Sequence, residues 1–273
     1  MKNKMFTFYN KYIKGAEALW AFIVACIPEA LLGDWQDWVG FSQPFKAFLA
    51  RMGILGLLIL LNCCRIYLRQ RVQIGGYNYC IQVEYGDIFK MANCKKVIPF
   101  DECFTTTVGR QPGDIKESSV CGQYLSRKPI TEQEMQNLIN LAELNPQKKK
   151  SQYKSKIRYE SGKLVPRGDD MLLSFAKLDK DGLGELTREE YLKSLSLLWQ
   201  EINKRDDQKN VCMPILGSGV TRIGDKTPTQ QELLDIMILS YKLSAYKLKN
   251  PRKLCIVCKK QDGFSLDKIG ESL

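Results

Sequence analysis

The fold is decided by the stretch Asn210-Val-Cys-Met-Pro-Ile-Leu-Gly-Ser-Gly-Val-Thr-Arg-Ile-Gly224. Its first half is rich in apolar residues and predicts a buried strand, which breaks into a loop of small residues at Gly217-Ser218-Gly219. Thr229, followed by Glu232, predicts the start of a helix. This order favours phosphate binding, because glycines let backbone N–H groups approach phosphate oxygens and a helix end adds a favourable dipole. A tight turn between a core strand and its helix is the simpler alternative.

The residues from Tyr77 onward alternate between strand-like and helix-like patterns. Strands are predicted at 79–85, 95–100, 171–178, 210–216 and 253–258, a hairpin at 156–165, and helices that begin at Thr131, Thr187 and Thr229, the last running to about Lys247. This order predicts an α/β fold whose mostly parallel or mixed sheet is covered on both faces. Phosphates in such folds bind at the carboxyl ends of strands, where the Gly217–Gly219 loop falls.

The composition excludes several kinds of site. The chain has 273 residues, a net charge of +11, ten cysteines and no histidine. The missing histidine excludes histidine-dependent triads, H-E-x-x-H metal sites and histidine general bases. The pair Cys255 and Cys258 has C-x-x-C spacing but no second pair, so we interpret both as core residues rather than as a metal or redox site. The cysteine pattern suits a reducing cytosol.

Two apolar stretches precede residue 77, at about 15–33 and 48–68. Each is long enough to cross a bilayer. Lysines precede the first stretch, arginines follow the second, and Asp34 and Asp37 lie between them, so the positive-inside rule places both ends in the cytosol. Residues 1–74 are therefore predicted to form a transmembrane hairpin. The alternative is a soluble helical hairpin packed on the main domain, which Glu29 and Arg51 favour.

An EF-hand-like segment and a lysine run each have a simpler interpretation than calcium or nucleic-acid binding. The segment 179–190 resembles an EF-hand loop, but Leu183 occupies a ligand position and the preceding residues predict a strand where an EF-hand needs a helix. The lysine run at 148–150 could contact nucleic acid, but no recognition fold accompanies it, so a solvated loop is favoured and no nucleic-acid partner is expected.

Four short segments stand in a characteristic order: 86–88 directly after the first strand, 97–100 ending in polar residues, 118–122 and 214–219. In this order the chain resembles the macro domain, an ADP-ribose-binding module, over roughly residues 77–273. With two predicted spans in front, it is more narrowly similar to the membrane-anchored macro-domain effectors of bacterial Thoeris anti-phage defence. The resemblance implies a three-layer α/β/α domain with a mixed sheet in the cytoplasm. It also implies a multi-pass anchor in the bacterial inner membrane, with both termini cytoplasmic.

The resemblance also implies ligand contacts. Asp87 is expected to accept a hydrogen bond from the adenine amino group, with the Ile88 N–H beside it. Asp101, Glu102 and Thr105 are expected near the distal ribose or the group attached to it. The diphosphate is expected on two loops, made by Ser118, Ser119, Val120, Cys121 and Gly122 and by Leu216, Gly217, Ser218, Gly219, Val220, Thr221 and Arg222.

Two departures from the macro-domain pattern bear on function. Asp101 and Glu102 replace the asparagine typical of catalytic members, which argues against ADP-ribosyl hydrolysis, and Cys121 stands where a histidine often occurs. The chain is therefore expected to be a sensor with no cofactor or metal. Its ligand is expected to be an ADP-ribose derivative made by a TIR-domain enzyme, for example a histidine conjugate. Ligand-induced homo-oligomers would then disrupt the lipid bilayer and kill the infected cell.

Two alternatives to this sensor come from other classes of protein. A membrane-tethered ADP-ribosyl hydrolase would use Asp101 or Glu102 to activate water. A calcium-regulated membrane protein would use the EF-hand-like segment 179–190.

Overall fold

The computed structural model describes residues 52–54, 56–61, 64, 69–205, 208–219, 221–224 and 228–270. The chain divides into two units, Met1–Arg69 and Gln70–Leu273. In the first unit the described residues 52–54, 56–61 and 64 are helical. The predicted span at 15–33 lies outside the described residues, and the span at 48–68 lies partly outside them. No helix among the residues that are described combines the length and apolarity needed to cross a bilayer.

The second unit is built on a nine-stranded mixed sheet. Its strands are β1 (Arg71–Gly76), β2 (Tyr79–Tyr85), β3 (Cys94–Asp101), β4 (Leu164–Arg167), β5 (Asp170–Leu178), β6 (Gly184–Leu186), β7 (Asn210–Pro214), β8 (Arg222–Ile223) and β9 (Lys253–Cys258). The order is β1-β2-β9-β7-β3-β5-β6-β8, with β4 also paired to β5. Strands β2, β9, β7, β3 and β5 are parallel. Their carboxyl ends therefore share one side of the sheet, which we call the carboxyl edge.

Among the described residues, four helices cover the two faces of the sheet: α1 (Val120–Arg127), α2 (Glu132–Leu141), α3 (Arg188–Lys204) and α4 (Gln230–Leu243). Short 3-10 helices span Ile88–Lys90 and Leu266–Lys268. Successive strand residues point to opposite faces. Ile98 accordingly packs in the core with α1 and α2, while Val97 packs in the core with α3 and α4. The predicted three-layer α/β/α arrangement with a mixed sheet is confirmed.

Most of the predicted element positions are confirmed. Strands β2, β3, β5, β7 and β9 lie where the sequence places them, and Thr187 and Thr229 cap α3 and α4 in complete capping boxes. Thr131 caps α2 by accepting from the Glu134 N–H at 3.1 Å. The Glu134 carboxylate accepts from Arg167 Nη2 at 2.8 Å instead of returning to the cap, because the β4 strand brings that guanidinium within reach.

Two predicted elements are wrong. The hairpin does not lie at 156–165: β4 pairs with β5 through a turn at Gly168, whose φ of +61° suits glycine. Helix α4 ends at Leu243 rather than near Lys247. The reason is local, because Ser244 adopts an extended backbone and its Oγ accepts from the Tyr246 N–H at 3.0 Å.

The predicted core role of the C-x-x-C cysteines is confirmed. Cys255 and Cys258 are three residues apart in β9, so their thiols point to opposite faces of the sheet. Cys255 packs with Cys94 and Cys212, whereas Cys258 belongs to the core beneath α3 and α4. Within the described parts of the chain, no group of three or more His, Cys, Asp or Glu residues is arranged to hold a metal ion.

The EF-hand-like segment forms a β-turn between two strands. It begins where β5 ends and continues through β6 into α3. Asp179 Oδ1 accepts from the backbone N–H groups of Asp181 and Leu183 at 2.9 and 2.8 Å. The acidic residue at the first position therefore stabilises a turn.

Candidate functional site

Four of the predicted ligand segments meet at the carboxyl edge. Asp87 follows the end of β2, Asp101 ends β3, and the glycine loop follows β7. The Gly86 N–H donates to Cys258 O at 3.1 Å, which joins the end of β2 to the end of β9. Helix α1 also starts here, because it follows the loop that leaves β3. Loops, a helix N-terminus and two carboxylates thus converge where α/β folds bind ligands.

The glycine loop has one position that requires glycine and one that is open. Gly217 has a φ of +82°, and a Cβ atom there would lie 2.5 Å from Ile223 Cδ1. No heavy atom of the described residues lies within 4 Å of where a Gly219 Cβ would stand. The loop is therefore tightly folded at Gly217 and accessible at Gly219.

Contacts from α3 and α4 fix the start of this loop. The Tyr191 hydroxyl donates to Leu216 O at 3.1 Å, and the Leu216 N–H lies 3.3 Å from Met237 Sδ. Ser218 Oγ donates to Ile215 O at 2.8 Å. Burial of the Tyr191 hydroxyl raises its pKa, so this phenol remains a donor at neutral pH. A rigid backbone here suits pre-organised N–H donors.

The end of the predicted diphosphate loop is less suited to ligand contact. Val220 lies outside the described residues. Thr221 is half-buried beside Gly184. The Arg222 guanidinium forms an ion pair with Asp179 and lies 4.0 Å from a Glu185 oxygen. Arg222 therefore joins β8 to the β5–β6 turn.

The second predicted loop leads into α1. Ser119 caps this helix, because its Oγ accepts from the Gly122 N–H at 3.0 Å and donates to Lys116 O at 2.6 Å. Only glycine fits at position 122, since a Cβ would lie 2.2 Å from Lys116 O. Ser118 O accepts from the Gln123 side chain at 3.0 Å. Val120 begins the helix, which places its N-terminal dipole at the carboxyl edge.

Cys121 lies beneath this helix start. Its side chain is buried in the same core as Ile88, Phe100 and Phe104. Burial raises the pKa of the Cys121 thiol well above its ordinary value, and the nearby Asp101 charge raises it further. A neutral thiol is a poor nucleophile and a poor charge partner. Cys121 therefore contributes shape and an apolar surface to the site.

Asp87 has a structural task as well as a candidate ligand role. Its Oδ1 accepts from the Phe89 N–H at 2.9 Å and caps the 3-10 helix after β2. The neighbouring Ile88 side chain is buried in the α1 core, which fixes the backbone beside the carboxylate. One carboxylate oxygen is thus used by the cap, and the half-buried Asp87 is held at the carboxyl edge in one orientation.

Asp101 is the most distinctive polar group of the site. Its side chain is 5% exposed, and Oδ1 accepts from the N–H groups of Cys103 and Thr105 at 2.7 and 3.3 Å. Among the residues described, the buried atoms Asp101 Oδ2 and Thr105 Oγ1 have no hydrogen-bond partner. Burial raises the pKa of the Asp101 carboxyl, and this rise is partly offset by the Cys103 N–H, by the nearby Thr105 hydroxyl and by the Thr105 N–H. Two unpaired buried polar atoms suit a site that is completed by a ligand.

Glu102 differs from its neighbour because both of its oxygens bind protein groups. Oε1 accepts from Ser151 Oγ at 2.6 Å and from the Leu178 N–H at 3.3 Å. Oε2 accepts from Arg158 Nη1 at 3.3 Å. This carboxylate therefore joins the lysine-rich loop to the end of β5.

Sequence reasoning missed the residues that support this edge. Tyr153 packs where Gly113 and Gly182 approach each other, since a Cβ on either glycine would lie within 3 Å of its ring. The Tyr153 hydroxyl donates to Pro112 O. The loops that contain Gly113, Gly182 and Tyr153 are thus packed together around the Tyr153 ring. The sequence feature that could have identified these residues is an aromatic residue inside a lysine-rich loop, together with glycines in two other loops.

Asp101→Asn is expected to become more stable, relative to the unsubstituted chain, as pH rises above 3.8. The folded-state pKa of Asp101 is raised from 3.8, so the stability linked to its protonated form is present at low pH. That stability is lost as pH rises through the folded-state pKa. Asparagine keeps the acceptor for the Cys103 N–H and cannot ionise. Urea unfolding of both proteins between pH 4 and 8 measures the difference, and parallel pH profiles would contradict this expectation.

Comparison with known proteins identifies similar sequences and structures. Residues 81–259 match the family described as Thoeris protein ThsA, Macro domain. The Thoeris protein ThsA of Bacillus amyloliquefaciens (strain Y2) is 29% identical over 218 residues, which are 77% of this chain and 73% of that protein. The solved Oceanobacillus iheyensis macrodomain with ADP and the same macrodomain with MES bound are each 10% identical. They cover 70% of this chain and 89% of theirs, with TM-scores of 0.43 and 0.42.

The family match extends from β2 to the end of β9. It therefore contains all five parallel strands, both predicted phosphate loops and the two carboxylates at the end of β3. More than half of the chain is covered by this one match. The chain belongs to the ThsA macro-domain family of Thoeris proteins.

Proposed function

We propose that this protein is an effector of bacterial Thoeris anti-phage defence whose macro domain binds an ADP-ribose derivative made by a TIR-domain enzyme. Asp87 holds the adenine, the loops at 118–122 and 216–222 hold the diphosphate, and Asp101 lies on the distal ribose side. An amino-acid conjugate of ADP-ribose, such as the histidine conjugate, is the signal. Ligand binding drives self-association, and the apolar N-terminal segments then disrupt the inner membrane and kill the infected cell.

The observation that carries this proposal is the buried Asp101 Oδ2, which has no hydrogen-bond partner among the described residues and belongs to the strand end at the carboxyl edge. A buried acceptor without a partner destabilises a fold by about 1–3 kcal/mol. A ligand hydroxyl that donates to Oδ2 removes that penalty, so binding is favoured at this position. The N–H groups near Gly219 and the start of α1 suit an anion. Family membership supports the ligand class.

Self-association needs a further energetic condition. A ligand shifts an equilibrium only if it binds one state more tightly than the other. Moving a population from about 1:99 to 99:1 takes a preference of about 10⁴-fold for the assembled state. The proposal therefore requires that ligand affinity and assembly depend on one another.

Calorimetric titration of the detergent-solubilised full chain tests binding. ADP-ribose and its histidine conjugate are expected to bind, and Asp87→Asn to weaken binding by about tenfold, the worth of one charged hydrogen bond. Asparagine keeps an acceptor for the Phe89 N–H but presents donors toward the adenine amino group. Asp169→Asn is the control, because Asp169 lies in the β4–β5 turn at the opposite edge. No heat with either ligand would refute the proposal.

One observation favours a second candidate, an ADP-ribosyl hydrolase. The raised pKa of Asp101 is typical of a general base. Glu102 is a poor candidate for that role because both of its oxygens bind protein groups. Incubation with ADP-ribosylated protein distinguishes the functions: release of ADP-ribose that disappears in Asp101→Asn would establish the hydrolase. If the ADP-ribosylated protein remains unchanged, the hydrolase function is refuted and the sensor function stands.

A further inference from the structure

Helix α4 has a second apolar stripe that faces away from the sheet. The buried stripe contains Leu233, Leu234, Met237, Ile238 and Tyr241. The outer stripe contains Ile236, which is half-buried at the border of the core, and Leu239 and Leu243, which are 40% and 77% exposed. With Glu232, the outer positions are spaced by four, three and four residues. This is the spacing of a and d positions in helices that pair with another helix.

The outer stripe lines a groove between α3 and α4. The groove has a volume of about 640 Å³. Leu192 of α3, which is 50% exposed, stands on the opposite wall. Trp199 is fixed in the lining because its indole N–H donates to Ser240 Oγ at 3.0 Å. Apolar grooves of this kind bind the apolar face of an amphipathic helix.

Charged residues at the two ends of the stripe are complementary to each other. Glu232 stands at the start of α4, where its Oε2 accepts from the Thr229 N–H at 2.7 Å and is held in place. Lys242 is exposed near the end of the helix. If two α4 helices pack antiparallel, Glu232 faces Lys242 of the partner subunit, and Ile236 faces Leu239 of the partner subunit. Two-fold symmetry repeats both contacts, as an isologous interface requires.

We propose that two copies of this chain associate through the α3–α4 groove, with their α4 helices antiparallel. A second copy fits this surface because one helix supplies the apolar stripe, the anionic end and the cationic end that its partner needs. The surface lies on the face of the sheet covered by α3 and α4 and does not include Asp87 or Asp101. This inference rests on the proposed function in one respect: the contact between the two α4 helices would serve the self-association that the proposed function requires.

Disulfide trapping tests the contact in the full chain, expressed in bacterial cells. Two differently tagged variants, Ile236→Cys and Leu239→Cys, are co-expressed and oxidised with copper phenanthroline. A disulfide-linked heterodimer is expected, because these positions face each other across the two-fold axis. Two copies of Leu141→Cys form the control, since Leu141 is 81% exposed on α2. The unsubstituted chain gives the background from native cysteines. A heterodimer no more abundant than in the control would overturn the proposal.

A second variant distinguishes loss of contact from loss of fold. Leu243→Asp, added to both tagged chains, is expected to lower the trapped fraction by about tenfold, because it places a carboxylate in the apolar seam. Its thermal midpoint is expected to be unchanged, since the Leu243 side chain is mostly exposed. Unchanged trapping in this variant would refute the surface. If the cysteine pair forms the disulfide-linked heterodimer but no ADP-ribose derivative binds, the proposed function is refuted and the proposed contact surface is supported.

Discussion

Replacing Glu102 by alanine is expected to lower the free energy of unfolding by about 3–5 kcal/mol, the usual cost of removing one partner from a buried ion pair. Glu102 is 1% exposed, and its oxygens accept from Ser151, Leu178 and Arg158. The substitution leaves the Arg158 guanidinium, 14% exposed, without its carboxylate. It also leaves the Leu178 N–H without an acceptor, which costs free energy in a buried position.

Urea unfolding of the full chain measures this effect, and Glu160→Ala is the matched control. Glu160 also pairs with a cation, because its Oε1 accepts from Lys193 Nζ at 3.0 Å. The two side chains are 33% and 70% exposed, so the pair contributes less than about 1 kcal/mol. A Glu102 variant as stable as the Glu160 variant would show that the buried carboxylate does not hold the lysine-rich loop.

The contrast between Asp101 and Glu102 could not be predicted from the sequence. Adjacent carboxylates at a strand end have the same local chemistry, and both were expected near the distal ribose. The β3–β5 register shifts between Phe100 and Asp101, so strand alternation alone does not tell where the two carboxylates point. Partners of Glu102 lie 49 and 56 residues away in the chain, so only the tertiary fold reveals them.

The strands were predictable where burial is strong. β5 and β9 are almost continuously buried, so their apolar runs are unmistakable. β1 was missed because it is an edge strand with mostly exposed residues and begins with an arginine that suited a membrane flank. The sheet therefore begins at Arg71, six residues before the predicted start of the domain at residue 77. β8 has two residues, too few for a periodic pattern.

The glycine loop was predictable in chemistry but not in detail. Its composition indicated a backbone that approaches a ligand, and the structure places it at the carboxyl edge. Which glycine is required by the fold depends on Ile223 of β8, because its side chain packs against Gly217. Gly217 and Gly219 are alike in sequence, but Gly217 is half-buried against Ile223 and Leu233 with a positive φ, whereas Gly219 is exposed.

Gly217→Ala and Gly219→Ala are therefore expected to have different effects. At Gly217 an alanine must adopt a φ of +82° with its Cβ 2.5 Å from Ile223 Cδ1. The left-handed backbone alone costs about 1–2 kcal/mol. The unfolding free energy should fall by that amount, and ADP-ribose affinity by about tenfold, because the donors of the loop move. At Gly219 an alanine meets no neighbour in the described part of the chain, so the stability of this variant should stay within about 0.5 kcal/mol of the unsubstituted chain.

The free energy of unfolding and the ADP-ribose affinity together test whether the glycine loop holds a diphosphate. If phosphate oxygens approach the backbone at Gly219, the added methyl group weakens ADP-ribose binding without lowering stability, because it occupies space that only the ligand uses. Gly75→Ala in β1, which also meets no neighbour, controls for the methyl group itself. Calorimetry and urea unfolding on the same three proteins give both quantities. Unchanged ADP-ribose binding in both loop variants would mean that the diphosphate lies elsewhere, and the loop would then be only a turn between β7 and β8.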